Sequence, residues 1–160
     1  MIAIGPAGPD DADAIWQILE PVIRAGDTYA LDRTMPRDAA LAWWLNPPHR
    51  AFVARDATGL IVGTHYLQPN QAGGGAHVAN AGFMVRMGHR GVGRALAEHA
   101  LDAARDAGFA AMQFNFVVST NTRAIALWQA LAFAEVGHLP AAFDHPHLGR
   151  VDALVMYRML

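Results

Sequence analysis

The sequence predicts a mixed α/β sheet flanked by helices, and three observations carry that prediction. Apolar spacing changes along the chain from helical, to strand-like, and back to helical. Asp56-Ala57-Thr58-Gly59 separates two apolar runs in the manner of a hairpin turn. Farther on, the apolar run Ala81-Gly82-Phe83-Met84-Val85 passes through Arg90-Gly91-Val92-Gly93-Arg94-Ala95 into a helical pattern. Hairpins interspersed with helical crossovers make a mixed sheet, not a purely parallel one.

The elements follow in order. Residues 2–4 form a short first strand. Pro9-Asp10-Asp11 opens a helix with acidic residues in its first turn. Ile15, Ile18, Leu19 and Val22 continue it at helical spacing over 14–23, and Pro21 should kink or end it. A second helix spans 37–45 and stops at Asn46-Pro47-Pro48. Residues 51–54 and 60–67 are the hairpin strands, and the glycine-rich 70–75 is a loop. A fourth strand spans 77–85. A helix over 95–107 ends at Gly108. A strand over 112–118 precedes a helix over 122–131, for which Asn121 is a suitable N-cap. Residues 136–139 and 153–159 are the last strands. Trp43 and Trp44 are adjacent, so one should face the core and the other a neighbour or solvent.

At 160 residues the chain is expected to be one domain, 1–160, long enough for a real core. A formal net charge of −2 gives no electrostatic reason to expect nucleic acid. The absence of cysteine removes disulfides and a thiol nucleophile. The first residues lack a basic segment and a long apolar run, so no signal peptide is expected. No apolar stretch approaches the roughly 20 residues that span a bilayer, so a cytoplasmic protein without membrane contact is expected.

The glycine segment carries the chemistry. The first amides of a helix have no internal partners, and the helix dipole adds partial positive charge there. Gly91 and Gly93 lack the β-carbons that would hold a phosphate off the backbone. A loop that merely needs glycine is the plain alternative. The dinucleotide fingerprint fits poorly, because it wants three glycines in an N-terminal βαβ unit, and no Lys-Ser/Thr follows for a P-loop.

What fits is Arg/Gln-x-x-Gly-x-Gly/Ala, met by Arg90, Gly93 and Ala95, and a second segment from Asn121 through Ala124, Trp128 and Leu131 to Phe133. With this element order the chain resembles the GCN5-related N-acetyltransferases over nearly its whole length. The resemblance implies the acyl-CoA N-acyltransferase fold, a mainly antiparallel mixed sheet whose fourth and fifth strands splay apart. It implies that the amides of Gly91, Val92, Gly93, Arg94 and Ala95, with Arg90, hold the pyrophosphate of acetyl-CoA. It also implies that the backbone of Phe83, Met84 and Val85 pairs with the pantetheine and polarises the thioester, as amides near a developing oxyanion do.

The stretches His77 to Val85, Met112 to Asn121 and Leu139 to Tyr157 resemble a narrower group, the azetidine-2-carboxylate N-acetyltransferases of yeast and their bacterial relatives. That resemblance implies that Asn80 contacts the substrate nitrogen, Phe83 lines the substrate pocket, and Asn115 and Asn121 hold the cofactor. Asn80 and Asn115 interrupt apolar runs, where an unpartnered carboxamide would cost roughly 1–3 kcal/mol. Bonding to backbone at a bulge or gap is the plain role for each, and an N-cap is the plain role for Asn121.

The acid and base are missing from their expected places. Trp128 stands where many relatives carry a tyrosine acid, and an indole N–H does not dissociate near neutral pH. A coenzyme A thiol resembles a cysteine in acidity, about 8–9, so it can leave without that acid. No carboxylate lies on 76–85. His77 is the candidate base, with His65 on the neighbouring strand beside it, and both are also ordinary places for a structural histidine. Asn80 is not basic, and is expected to orient the amine while water takes the proton.

Tyr29, between the first helices, and Phe143, in a late loop with His145 and His147, are candidate substrate contacts. Those two histidines lack partners at metal-ligand spacing, so no metal is expected. The reading is an N-acetyltransferase acting directly, in a ternary complex, on the nitrogen of a small molecule such as an amino or imino acid. A protein or antibiotic amine, or a non-catalytic acetyl-CoA binder, are the alternatives. The family resemblance also implies a possible homodimer.

Overall fold

The computed structural model describes residues 1–160. Seven strands form one sheet in the order β1-β2-β3-β4-β5-β7-β6. They are β1 (Ala3–Pro6), β2 (Arg50–Arg55), β3 (Ile61–Pro69), β4 (Val78–Val85), β5 (Ala111–Val118), β6 (Ala134–His145) and β7 (Gly149–Met159). All neighbours are antiparallel except β4 and β5, which run parallel. That parallel pairing holds only at Val78↔Ala111 and Ala79↔Met112, after which the strands part. The expected mixed sheet with a splay is therefore present.

The sheet has a core on each face. Alternation along β3 and β4 sends Tyr66 and Met84 to one face and Leu67 and Ala81 to the other. The first face packs on α1 (Ala12–Ala25) and α2 (Arg37–Leu45), through Ile15, Ile18, Leu19, Ile23, Leu41 and Trp44. The second packs on α3 (Val92–Asp106) and α4 (Thr122–Ala130), through Ala97, Ala100, Leu101 and Trp128. Trp44 is fully buried and donates from Nε1 to Thr64 Oγ1 at 2.9 Å, while Trp43 is only partly buried.

Four expectations need correction. Pro21 neither ends nor breaks α1, which continues to Ala25 and stops at the left-handed Gly26 (φ 63°). Pro21 and Gln17 are on the exposed side, where water can serve the carbonyl that Pro21 leaves unpaired, and the buried Ile23 holds the last turn. Helix α3 begins at Val92, three residues earlier than the pattern suggested, because Val92 itself is buried as the first member of the apolar stripe. The loop over 70–75 contains a 3-10 turn, Gly73–Gly75.

The fourth is β6, which runs through Pro140 to His145. A proline cannot donate to a ladder, but β6 is the free edge of the sheet, where no donor is needed. The irregularity is absorbed between Leu139 and Phe143, with Ala141 left-handed (φ 51°) and its N–H donating to Asp152 Oδ1 at 2.8 Å. Phe143 therefore lies in a strand opposite Val151, not in a loop.

Candidate active site

The splay opens a cavity of about 1130 Å³ that runs from the glycine loop to the segment between α1 and α2. Its formation follows from the short β4–β5 ladder. Beyond Ala79 and Met112 the two strands no longer satisfy each other, so side chains and solvent must do so.

Asn80 stands at the fork. Its Nδ2 donates to the Gln113 carbonyl at 3.0 Å, and its Oδ1 faces Gln68 Nε2 at 3.4 Å. The carboxamide thus replaces the next rung of the ladder and still lines the cavity. From Gln113 the chain of side-chain amides goes on, through Asn115 Oδ1 at 2.9 Å and from Asn115 Nδ2 to Asn70 Oδ1 at 2.7 Å.

Phe83 is the next open position. Its N–H donates to the Tyr29 hydroxyl at 2.7 Å, and that hydroxyl donates to the Phe83 carbonyl at 2.8 Å. Its ring packs against Trp128 (centroids 5.1 Å apart) and edge-on to Phe114 (6.0 Å). Trp128 is buried in this aromatic cluster with Phe114 and Phe133, as core packing requires.

The glycine loop closes the other end. Gly91 caps α3 in the left-handed region (φ 78°), and the Ala95 N–H already donates to the Gly91 carbonyl at 3.1 Å. Helical geometry then leaves the amides of Gly91, Val92, Gly93 and Arg94 without intrahelical acceptors. Ala95 is corrected by this: its amide is consumed by the helix, and its side chain does not line the cavity. Val92 offers its backbone alone, because its side chain packs with Ala54, Val62 and Leu96. A β-carbon on Gly93 would meet nothing closer than 3.9 Å, so packing inside the protein does not require that glycine.

Phe83, Met84, Val85, Arg90, Gly91, Gly93, Arg94, Asn115 and Asn121 all line the cavity, as do Asn80 and Tyr29. Asn121 also caps α4, its Oδ1 accepting from the Ala124 N–H at 3.3 Å. His77 does not line the cavity. It is exposed at the closed end of the splay, where its carbonyl accepts from the Ala110 N–H at 2.8 Å. Phe143 is also outside, one aromatic layer behind Phe116, with ring centroids 6.2 Å apart. Sequence reasoning missed Arg86, His89 and Arg123, which share the cavity. Arg123 was legible only as a basic residue in the first turn of α4, beside Asn121.

The electrostatics are lopsided: four arginines and His89 line the cavity, and no Asp or Glu does. His65 is fully buried and outside it. Burial, and then the neighbouring His99, push His65 down to about 3. Burial pushes the Tyr66 hydroxyl up to about 12 and raises Tyr29 further, so both are donors and not bases at neutral pH. No cluster of three or more His, Asp or Glu side chains is placed to hold a metal. No helix is long and apolar enough to cross a membrane.

Known proteins share this architecture. The model of the acetyltransferase (GNAT) family matches residues 14–133. The N-acetyltransferase aca1 of Schizosaccharomyces pombe is 32% identical over 151 residues, covering 83% of this chain and 72% of that protein. A GCN5-related N-acetyltransferase from Kribbella flavida superposes with a TM-score of 0.94 at 43% identity, over 99% of this chain and 98% of that one. The yncA structure from Salmonella typhimurium, solved with its cofactor acetyl-CoA, superposes at 0.85 and 24% identity, over 100% and 94% of the chains, a likeness of fold.

Proposed function

The chain belongs to the acetyltransferase (GNAT) family and is an acetyl-CoA-dependent N-acetyltransferase, and from that premise we propose that its acceptor is the nitrogen of a small amino or imino acid. The observation that supports this acceptor is the cavity wall without Asp or Glu. A polyamine or a basic protein tail carries further positive charges that need counter-charges when they leave water. An acceptor whose remaining charge is a carboxylate does not.

The cavity fits the cofactor. The free amides of Gly91, Val92, Gly93 and Arg94 suit a pyrophosphate, and Gly93 leaves room for close approach. Arg90, Arg94 and Arg123 add positive charge around them, and Asn115 and Asn121 supply side-chain amides. Phe83 presents an N–H and a carbonyl that no strand takes. When bound, acetyl-CoA supplies a thioester carbonyl carbon for the amine to attack.

The residues around that point orient and polarise. The Phe83 N–H, held by the Tyr29 hydroxyl in the ligand-free protein, would be the donor to the thioester oxygen as it gains negative charge. Asn80 holds the acceptor nitrogen at the fork, and its fixed bond to Gln113 defines the direction of its Oδ1. Water carries the amine proton away, since the cavity wall offers no carboxylate. Trp128 serves as wall and gives no proton. Without cysteine in the chain, a thiol-bound acetyl group has no place, and attack is direct.

A free-thiol assay with acetyl-CoA against azetidine-2-carboxylate, proline, neutral amino acids and polyamines tests the acceptor. Preferred turnover of the amino or imino acids supports it, and preferred turnover of polyamines overturns it. Full turnover by Asn80→Ala removes Asn80 from its role. A cytoplasmic location and a homodimer complete the proposal, and the dimer is supported by the free edge strand β6, which exposes Val136 and Leu139. Sedimentation equilibrium tests the stoichiometry.

A further inference from the structure

The segment over 26–36, between α1 and α2, forms one wall of the cavity through Thr28, Tyr29 and Ala30. At its base it is tied to α1: Arg33 Nε donates to the Arg24 carbonyl at 2.8 Å, and Arg24 donates to the Met35 carbonyl at 3.0 Å. Its only hydrogen bonds to the sheet come from the Tyr29 hydroxyl, which takes both backbone groups of Phe83. A partner that accepts from one peptide N–H and donates to its carbonyl is doing what a neighbouring strand residue does. Tyr29 therefore occupies, in the ligand-free protein, the backbone positions that an extended amide-bearing chain would take along β4.

We propose that Tyr29 is a positioning residue that couples the two substrates: its hydroxyl holds the 26–36 segment on Phe83 until the pantetheine arm of acetyl-CoA claims the same N–H, and its release reshapes the acceptor wall. The hydroxyl suits this task because it stays protonated near neutral pH and can serve both groups at once. The exchange is close to balanced in hydrogen bonds, because Phe83 gains a new partner as it loses the old one. The proposal rests on acetyl-CoA lying along β4 and not on which amine is acetylated.

The test separates the two ends of the cofactor. Adenosine 3′,5′-bisphosphate carries the nucleotide end without the pantetheine, so it does not compete with Tyr29. In Tyr29→Phe the competitor is gone and readily displaced water replaces it. Isothermal titration should show acetyl-CoA bound about fivefold more tightly, the weight of one net hydrogen bond, with the bisphosphate unchanged within twofold. Unchanged or weaker acetyl-CoA binding, or an equal gain for both ligands, overturns the proposal.

A second measurement needs no variant. Amide hydrogen exchange over 26–36 in the unsubstituted protein should quicken with acetyl-CoA and not with the bisphosphate. Equal exchange with both ligands overturns the coupling. Failure of the unsubstituted protein to bind acetyl-CoA at all would overturn the cofactor reading as well.

Discussion

His65 on β3 and His99 on α3 face each other across the second layer of the core, Nε2 to Nδ1, at 2.9 Å. His65 is fully buried, stacked on Phe52 with ring centroids 4.7 Å apart, and its Nδ1 has no partner. Protonating it would place a charge beside Phe52, Phe83 and a second imidazole. Asp102, the carboxylate that acts on this pair, does so through His99.

That pair makes the stability of the fold depend on pH. The ordinary imidazole value is 6.5, and burial with His99 pushes His65 down to about 3 in the fold. Between those values the unfolded chain binds a proton that the folded chain refuses. Stability is therefore fully present above about pH 6.5 and falls toward pH 3, by about 1.4 kcal/mol per pH unit for one proton. Urea midpoints between pH 7 and 4.5 should fall less steeply in His65→Leu than in the parent, and parallel slopes would contradict this.

Gly93→Ala separates cofactor binding from folding. The added β-carbon meets Leu127 and Val85 only at 3.9 Å, so the melting temperature should hold within a degree or two. The methyl group points where a phosphate must approach the helix amides. The KM for acetyl-CoA should rise about tenfold or more, a loss of about 1.4 kcal/mol of binding. An unchanged KM would remove the first turn of α3 from the cofactor site.

Gly63→Ala should act on the same site from beneath. A β-carbon there would meet Val92 Cγ1 at 2.7 Å and Leu96 Cδ1 at 2.8 Å, so these two side chains must shift and press on α3. Overpacking of this kind costs about 1–3 kcal/mol. Because Val92 begins the helix that Gly91 caps, the displacement should reach the free amides. A lower melting temperature together with weaker acetyl-CoA binding is expected, and the two should separate if α3 and the glycine loop move independently.

Asn121 has two readings that substitution can divide. Asn121→Ala should cost about 1 kcal/mol through the lost cap on Ala124. Asn121→Ser keeps an acceptor at the cap and should recover most of that stability. If the carboxamide also binds the cofactor, the serine variant should keep a raised KM for acetyl-CoA, and a full recovery of both leaves Asn121 as a cap alone.

Much of the fold was readable because its signals are short-range. Asp56 to Gly59 announced the β2–β3 hairpin, and helix α2 stopped at Leu45, before Asn46-Pro47-Pro48, as that segment indicated. Two of the misread elements share a cause. Pro21 and Pro140 are exceptions to a rule about lost donors, and both are tolerated by position, one on an exposed helix side and one on a free edge. Neither exposure nor edge is a property of neighbouring residues in the chain. The site divided in the same way: Gly91 and Gly93 were legible as a strand-to-helix turn, whereas His77 lay three residues from Asn80 and still fell outside the cavity.

The sequence by itself therefore determined the glycine turn at the head of α3. A left-handed glycine, a second glycine and the first turn of a helix present free amides from consecutive residues, and backbone geometry needs nothing distant to make them. Tertiary structure alone decided the rest of the cavity wall. It brought Tyr29 onto the backbone of Phe83, 54 residues away, set Asn80 on the Gln113 carbonyl, turned Arg123 into the cavity and left every Asp and Glu outside it. The physical reason is the splay. Where β4 and β5 part, the backbone must find partners across the fold, and which side chains reach it is settled by how the helices pack on the sheet.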